Sequence, residues 1–373
     1  MKRNMKIKTI FEITDADIDF IGAVTSSWHF DNLIAFVKYK NLRKGVLILV
    51  PQSNMKDDSR YRISDSQVKQ YGGLFEQVIK LSGERLRGDG LNILRQLPSL
   101  WRRNGRPLYI LNTFTDIGFI SLLPCLKRKY IGVWVDEGIG RYMSKEAFVK
   151  TQVNTNYDDR YIPKLKKQIK RFVSDFLIHN KIEFFLYEKK DNLLFLNPTV
   201  AENLKQVYTD RVVPNNDTVK NVIYFKDYNV VSDKIHTELL NKIIPLIVES
   251  GCQLIIKKHP NDINSSFDEK FEDNSDVKIL RNTISGEELV VRAKPEVIIS
   301  GFSTVTFSSG FIFDIPVVST INLYKQHEEL DDLNRSLIDE FYAYFNHNAN
   351  LLFPNNEEVL LADIKKNIVN YDN

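Results

Sequence analysis

An acidic pair follows an apolar run near the middle of the chain. The run Tyr130–Val135 has the β-branched and aromatic character of a buried strand, and Asp136, Glu137 and Gly138 come directly after it. A carboxylate at the end of a strand can remove a proton from a substrate hydroxyl, which is the task of a general base. In the structural interpretation, the acids begin a helix and the glycine forms a turn. The residues alone leave both interpretations open.

Two further apolar runs end in polar residues that suit a phosphate. One run ends in Lys258, His259 and Pro260, and another is followed by Ser303 and Thr304. Ligands of parallel α/β sheets bind beyond the carboxyl ends of the strands, so we expect His259, Ser303 and Thr304 to face one crevice from neighbouring strand ends. A helix that begins near Ser303 would add free N–H groups and a partial positive charge. The alternative is that Ser303 only caps that helix.

The first half of the chain opens with a βαβ pattern. The predicted elements are a strand, a helix and two strands, over residues 18–24, 31–39, 45–50 and 107–111. No Gly-x-Gly-x-x-Gly separates the first strand from the helix, so a bound dinucleotide is not expected. We expect the polar residues Ser26, Ser27 and His29 after the first strand, and Asn112 after the fourth element, to line a substrate cleft. His29 also fits the role of a structural histidine.

The charge of the chain is divided unevenly. Residues 1–215 carry 36 Lys and Arg against 23 Asp and Glu, whereas the remainder carries 15 against 25. Part of the basic excess lies at Arg102 and Arg103 and in a predicted amphipathic helix that includes residues 164–171. This pattern favours a polyanionic acceptor or an anionic membrane surface. Two solvated surfaces that attract one another would give the same split.

The second half alternates strands and helices again. Residues 209–220 are the predicted linker, so we place one domain at 1–212 and a second at 213–373. The predicted strands lie at 221–225, 251–258, 277–280, 297–300 and from 315 onward, and the predicted helices at 237–249, 285–293, from 303 and at 359–369. We therefore expect an α/β protein with two parallel sheets.

Composition is that of a globular protein of the cytoplasm. Hydrophobic residues make up 43% and charged residues 27% of the chain. No signal-peptide pattern follows the basic start, and no apolar run approaches the length of a spanning helix. We expect a cytoplasmic location, with peripheral contact at the inner face of the membrane as an option, and no nucleic-acid partner.

These motifs together resemble those of bacterial sialyltransferases. Asp136-Glu137-Gly138, His259-Pro260 and Ser303-Thr304 match, in that order, the motif set of the lipooligosaccharide sialyltransferases and capsule polysialyltransferases. The resemblance implies a GT-B architecture, with two Rossmann-like domains whose parallel sheets face a cleft. It also implies an inverting transfer of sialic acid from CMP-sialic acid to a glycan, without a metal.

The resemblance assigns a role to each matching residue. Asp136 would be the general base, with Glu137 as the alternative, and His259 would assist the departure of CMP. Pro260 would shape the turn, and Ser303 and Thr304 would hold the phosphate. Lys257 and Lys258 depart from the family pattern, and Lys258 would add positive charge beside the leaving group. The domain at 213–373 would bind the nucleotide sugar, and that at 1–212 would bind the acceptor through Ser26, Ser27, His29, Asn112, Arg102 and Arg103. No metal ligand set is expected, because Asp15, Asp17 and Asp19 precede a strand instead of following one.

Three other functions stay open on the sequence. Transferases that use CDP-glycerol to build teichoic-acid or capsule polymers share the fold and a His-Pro motif, although the acidic triplet argues against them. A GT-B enzyme that uses a UDP-sugar is the second alternative. The third is a polyanion-binding module without catalysis.

Overall fold

The computed structural model describes most of the chain in fourteen stretches. These are residues 18–50, 63–80, 107–111, 130–136, 138–139, 142–143, 181–191, 193–211, 219–227, 230–259, 262, 266–280, 284–328 and 330–369. Internal contacts divide the chain into two compact units. The first unit comprises Met1–Glu137 and Asp158–Phe185, and the second comprises Gly138–Tyr157 and Leu186–Asn373.

The first unit is built on a six-stranded parallel sheet. The strands are β1 (Phe20–Val24), β2 (Gly45–Leu49), β3 (Phe75–Lys80), β4 (Leu108–Leu111), β5 (Tyr130–Val135) and β6 (Lys181–Phe184). Their order in the sheet is β3-β2-β1-β4-β5-β6, and each neighbouring pair is parallel. The order reverses between β1 and β4, which is where ligands of such sheets bind.

Helix α1 (Ser27–Tyr39) buries most of its length in the first unit. The aromatic side chains of Phe30 and Phe36 on this helix are fully buried. The predicted start at residue 31 is wrong, because Ser26 caps the helix by accepting the N–H of His29 and so begins it at Ser27. A short helix α2 (Asp65–Gln70) and a 3₁₀ turn (Gly72–Leu74) lead into β3.

The second unit contains another six-stranded parallel sheet. Its strands are β9 (Asn221–Lys226), β10 (Gln253–Lys258), β11 (Val277–Leu280), β12 (Val297–Ser300), β13 (Val317–Ser319) and β14 (Leu351–Leu352). The order is β11-β10-β9-β12-β13-β14, and each neighbouring pair is parallel. The chain adds strands on one side of β9 up to β11 and on the other side from β12 onward, so the strand order reverses between β9 and β12. A separate antiparallel hairpin is formed by β7 (Tyr187–Lys190) and β8 (Leu193–Leu196).

Seven described helices accompany this second sheet. They are α3 (Pro198–Arg211), α4 (Asp233–Glu249), α5 (Gly286–Ala293), α6 (Thr304–Phe313), α7 (Ile321–Tyr324), α8 (Asp332–Phe345) and α9 (Glu357–Val369), with a 3₁₀ turn at Asp268–Lys270. A large part of the core of this unit lies between α4, α9 and the sheet, and it contains Ile243, Ile256 and Ile364. The β-branched strand residues on this face remove apolar surface from water when they pack. This burial is the main contribution to the stability of the fold.

Three of these helices, α3, α7 and α8, were not predicted from the sequence. Helix α3 ends at Arg211, so the prediction of a linker from residue 209 is wrong at its start. Helix α8 had no predicted counterpart. The predicted boundary between 212 and 213 and the predicted basic helix at 164–171 lie outside the described residues, and they stay predictions.

Candidate active site

Helix α6 begins at the carboxyl edge of the second sheet with a serine that does not cap it. Ser303 has the extended backbone of an N-cap residue, with φ −139° and ψ 148°, but its side chain makes no capping hydrogen bond in the described structure. In contrast, Ser285 accepts the N–H of Glu288 at the start of α5. The first turn of α6 contains no acidic residue. The helix end therefore presents N–H groups, a partial positive charge and a hydroxyl to an anion.

His259 follows β10 at the same edge of the sheet. The residue is partly exposed, and its carbonyl accepts the N–H of Asp262 at 2.8 Å in a turn. The prediction that His259 and Ser303 follow neighbouring strands is wrong, because β9 lies between β10 and β12. Since strands are spaced about 4.8 Å apart, the two strand ends are roughly 10 Å from one another. Both still belong to one carboxyl edge.

The strand between them ends in a buried carboxyl group that the sequence analysis overlooked. Asp227 directly follows β9 and is 3% exposed. Its Oδ2 accepts the hydroxyl of Tyr324 at 3.0 Å. A Cβ added to Gly301 would lie 1.9 Å from the same oxygen, so only glycine allows the β12–α6 turn (Gly301–Ser303) to approach this close. The missed signal was similar to that of Asp136: an acid just after an apolar run, here with Lys226 between the run and the acid.

Burial dominates the electrostatics of this carboxyl group. Burial raises the pKa of Asp227 to about 7. Three effects favour the ionised form and oppose that rise: the hydrogen bond from Tyr324, those from the backbone amides of Phe302 and Gly301, and the charge of Lys226. Asp227 is thus a group whose charge changes near neutral pH.

A polar network extends from Asp227 into the core. The hydroxyl of Tyr224 lies 2.7 Å from Nδ1 of His236, and both residues are fully buried. Burial lowers the pKa of His236 to about 3, so the imidazole is neutral at physiological pH. Burial also raises the pKa of Tyr224 and of Tyr324, which keeps both phenols protonated.

Lys258 forms ion pairs within the second unit. Its ammonium lies 3.0 Å from Oδ1 of Asp268 and 3.5 Å from Oδ1 of Asp262. The other carboxylate oxygen of Asp262 is 2.7 Å from the ammonium of Lys226, which also lies 2.6 Å from Asp233. The charge of Lys258 is therefore balanced by the protein itself. Its predicted contact with a donor stays a prediction.

The glycine of the acidic triplet contacts the Ser-Thr motif within the second unit. Gly138 has a φ of +94°, and a Cβ there would lie 2.8 Å from Oγ1 of Thr304. The N–H of Ile139 donates to the same oxygen at 3.4 Å. Both the positive φ and the close approach require glycine at this position. This contact explains why a glycine follows the two acids.

Asp136 directly follows β5 in the first unit and is 1% exposed. The indole Nε1–H of Trp28, in the first turn of α1, donates to Oδ1 of Asp136 at 3.2 Å. A hydrogen bond to a carboxylate is stronger than one between neutral groups, so it restricts the orientation of the side chain. Glu137 lies outside the described residues.

The predicted acceptor residues at the start of α1 all make contacts within the protein. Oγ of Ser26 accepts the N–H of His29 at 3.2 Å, and Oγ of Ser27 accepts Nε2 of Gln67 at 3.5 Å. Nδ1 of His29 lies 2.7 Å from Oγ1 of Thr25. These contacts agree with a structural role for His29, and the acceptor role of all three residues stays a prediction.

The remaining predicted site residues lie outside the described part of the chain. They are Pro260, Asn112, Arg102 and Arg103. Across the described residues, no group of three His, Cys, Asp or Glu side chains is arranged to hold a metal ion. None of the described helices is both long enough and apolar enough to cross a bilayer.

A family model of known proteins matches this chain over most of its length. The model is that of the alpha-2,8-polysialyltransferases (POLYST), and it matches residues 20–322. The chain belongs to the alpha-2,8-polysialyltransferase family. Membership confirms the predicted resemblance and makes the protein a glycosyltransferase of the sialyltransferase class. No sequence among the curated proteins matches it.

This polysialyltransferase-family protein is similar in fold to solved GT-B structures. One is an α/β-galactoside α-2,3-sialyltransferase from Photobacterium phosphoreum, with 12% identity, a TM-score of 0.51 and coverage of 90% of this chain and 97% of that chain. Another is a putative UDP-N-acetylglucosamine 2-epimerase from Listeria monocytogenes, with 9% identity, a TM-score of 0.55 and coverage of 96% and 89%. Both likenesses concern the fold alone. They confirm the predicted GT-B class of two parallel sheets.

Proposed function

We propose that this sialyltransferase moves sialic acid from CMP-sialic acid to a hydroxyl group of a glycan acceptor, with inversion and without a metal. The family supplies the reaction class, and the residues of the two units supply the steps. The observation that carries the proposal is the start of α6, where the Ser303 hydroxyl makes no capping bond and no acid lies in the first turn.

The second unit would stabilise the departing nucleotide. As the bond between the sialic acid and the phosphate breaks, its electron pair moves to a phosphate oxygen of CMP. Ser303, Thr304 and the N–H groups of α6 would bind that oxyanion, and His259 would donate a hydrogen bond to it. These groups supply the charge stabilisation that a metal ion provides in other transferases.

The first unit would supply the general base. Asp136 would take the proton of the acceptor hydroxyl while the hydroxyl oxygen forms its bond to the anomeric carbon. Such transfers pass through an oxocarbenium-like state, and a single displacement inverts the configuration. The hydrogen bond from Trp28 supports this assignment, since it orients the carboxylate. Glu137 is the alternative base.

The acceptor that fits this chain best is itself acidic. The family is named for α-2,8-linked polysialic acid, whose every unit carries a carboxylate. The excess of Lys and Arg over Asp and Glu in residues 1–215 would attract such a chain. The same basic residues would attract a lipooligosaccharide acceptor or an anionic membrane.

A nucleotide panel combined with two variants tests this proposal. CMP and CDP should raise the melting temperature more than UDP or GDP in the presence of EDTA, because a ligand stabilises the state that binds it. Asp136→Asn should lower turnover about 100-fold or more with little change in CMP affinity. If only Glu137→Gln showed this loss, the general base would be Glu137. A preference for UDP, or full activity in both variants, would contradict the proposal.

A further inference from the structure

The β12–α6 turn rests on the Asp227 carboxyl group. Oδ2 of Asp227 is close enough to Gly301 to exclude any larger residue there, and the backbone of Gly301 and Phe302 favours the ionised carboxylate. Tyr324 donates to the same group, whereas Oδ1 has no hydrogen-bond partner among the described residues. Asp227 also ends the strand that lies between the strands of His259 and Ser303. It thus lies against the turn of the proposed phosphate site and is almost completely buried.

Thr306 holds the other side of this turn. Its hydroxyl lies 2.9 Å from Oγ of Ser300 and 3.1 Å from the carbonyl oxygen of Gly301, and all three residues are buried or nearly so. The N–H of Thr306 donates to the carbonyl of Ser303 at 3.1 Å. These hydrogen bonds hold both ends of the turn in place. The distance between the Asp227 carboxyl group and the turn is therefore set by the fold.

We propose that Asp227 is a positioning residue for the donor, and that it takes up a proton from solvent when the donor phosphate binds to the β12–α6 turn. This inference rests on the proposed function, because it requires a phosphate at the start of α6. No covalent step is involved: one proton passes from solvent to the Asp227 carboxylate for each donor bound.

The physical reason is repulsion between two anions that share one turn. Gly301 and Thr304 are three residues apart, so their Cα atoms lie within about 11 Å of one another. A phosphate on the N–H groups of α6 therefore adds negative charge close to a carboxylate that is already costly to ionise. Protonation removes the repulsion, and the protonated carboxyl can remain in contact with the hydroxyl of Tyr324.

The charged and titratable groups around Asp227 come from three elements. Lys226 lies next to it on β9 and favours the carboxylate. Helix α4 brings His236 and Asp233, and α7 brings Tyr324. The imidazole of His236 stays neutral at the pH of the experiment, since its pKa is lowered to about 3. Lys226 is paired with Asp233 and Asp262. Asp227 is therefore the group of this network that titrates near neutral pH.

Isothermal titration of CMP-sialic acid into the full chain tests the inference. Titrations at pH 7.5 in buffers that differ in ionisation enthalpy measure the protons taken up, and the phosphodiester of this donor does not titrate there. Wild type should take up about half a proton more than Asp227→Asn, if the pKa of Asp227 rises by about one unit on binding. Between pH 6.5 and 8.5 the Kd of wild type should weaken up to about ten-fold more than that of the variant.

Two further variants separate charge from packing. Asp19→Asn removes another buried carboxylate, one that pairs with Arg43 in the first unit, and it should keep the wild-type uptake. Tyr324→Phe removes a hydrogen bond that favours the ionised form, so the pH of maximal uptake should move upward. This second variant and the wild-type measurement keep the test valid if Asp227→Asn does not fold.

The outcomes distinguish this inference from the function on which it rests. Tight CMP-sialic acid binding with equal proton uptake in wild type and Asp227→Asn overturns the inference and leaves the function intact. An unchanged pH of maximal uptake in Tyr324→Phe also overturns it. Absence of CMP-sialic acid binding by wild type overturns both.

Discussion

At the scale of single residues, the acidic triplet has separate contacts for its first and last members. Asp136 accepts the indole N–H of Trp28 at 3.2 Å, and the backbone of Gly138 lies against Thr304. The first contact orients a carboxylate, and the second admits no side chain. A triplet used only as a helix start would need neither. This division motivates a substitution that alters the orientation of Asp136 without altering its charge.

We expect Trp28→Phe to lower kcat about 10-fold or more with little change in the affinity for CMP. The phenyl ring keeps most of the buried apolar volume, whereas the N–H donor to the carboxylate is lost. Steady-state kinetics and titration with CMP measure the two effects separately. Trp134→Phe is the matched control, because Trp134 lies on β5 close to Asp136 in sequence, with its ring 4.9 Å from the ammonium of Lys181. Equal kinetics in the two variants would show that the indole N–H does not matter.

At the scale of secondary-structure elements, two helices of the second unit begin with a serine but use it differently. Ser285 caps α5 through a hydrogen bond of 3.1 Å from Glu288 N–H, whereas Ser303 makes no such bond at the start of α6. A capping side chain stabilises the fold, and a hydroxyl that does not cap can serve a ligand. The pair therefore allows stability to be separated from binding.

We expect Ser285→Ala to lower the free energy of unfolding by about 1 kcal/mol and to leave CMP affinity unchanged. Ser303→Ala should change stability by less than about 0.5 kcal/mol and weaken CMP binding several-fold. Urea unfolding and calorimetric titration measure the two quantities. If Ser303→Ala destabilises the protein as much as Ser285→Ala does and binds CMP normally, then Ser303 acts only as a cap.

Elements with strong local signals could be predicted from the sequence. Strand β5 was predicted with its observed bounds, because its apolar run ends sharply at Asp136. Helix α8 was missed although its signals are local: Asp331 caps it, and Leu337, Ile338 and Phe341 are buried along one stripe. The order of strands could not be read, since it depends on pairing across the sheet. The position of Asp227 between His259 and Ser303 depends on that order, because nothing local shows that β9 lies between β10 and β12.

The proposed site shows the same division between local and long-range information. Ser303 and His259 could be found because each follows an apolar run. The partners of Asp136 and Lys258 could not, since Trp28 lies 108 residues from Asp136 and no sequence pattern marks Asp262 and Asp268 as the partners of Lys258. Hydrogen bonds of this kind depend on the packed structure, and spacing in the sequence gives no sign of them.

At the scale of the whole molecule, the Asp227 carboxyl group gives the stability a specific pH dependence. Its pKa is about 7 in the folded protein, against about 3.9 in an unfolded chain. The folded state therefore binds more protons than the unfolded state between these values, and the contribution of Asp227 to stability falls as pH rises from about 4 to about 7. His236, whose pKa is lowered to about 3, acts in the opposite direction below about pH 6.5.

We expect the stability difference between wild type and Asp227→Asn to change across this window. Wild type should lose up to about 4 kcal/mol relative to the variant between pH 4 and pH 7, and the difference should be constant at higher pH. Urea unfolding of both proteins at several pH values measures it, and the effect of His236 cancels in the comparison. A difference that does not vary with pH would contradict the raised pKa.

The uneven distribution of charge leads to a prediction about salt. Transfer to a long polysialic acid acceptor should fall steeply as salt rises, because exposed charges are screened beyond about 8 Å at physiological ionic strength. Transfer to a short neutral acceptor should change little. Reversal of the charges at Lys164, Lys166, Lys167, Lys170 and Arg171 should abolish this difference if the polymer binds there. Loss of binding to anionic vesicles, with unchanged transfer to the long acceptor, would assign these residues to a membrane instead.

The central claim is the transfer of sialic acid from CMP-sialic acid, and one assay tests it directly. The purified protein is incubated in EDTA with CMP-sialic acid and an oligosaccharide that ends in sialic acid, and the products are separated by mass. We predict that CMP is released and that the acceptor grows by whole sialic acid units in α linkage. If the acceptor does not grow with CMP-sialic acid, and CDP-glycerol or a UDP-sugar is consumed in its place, the proposed donor is wrong.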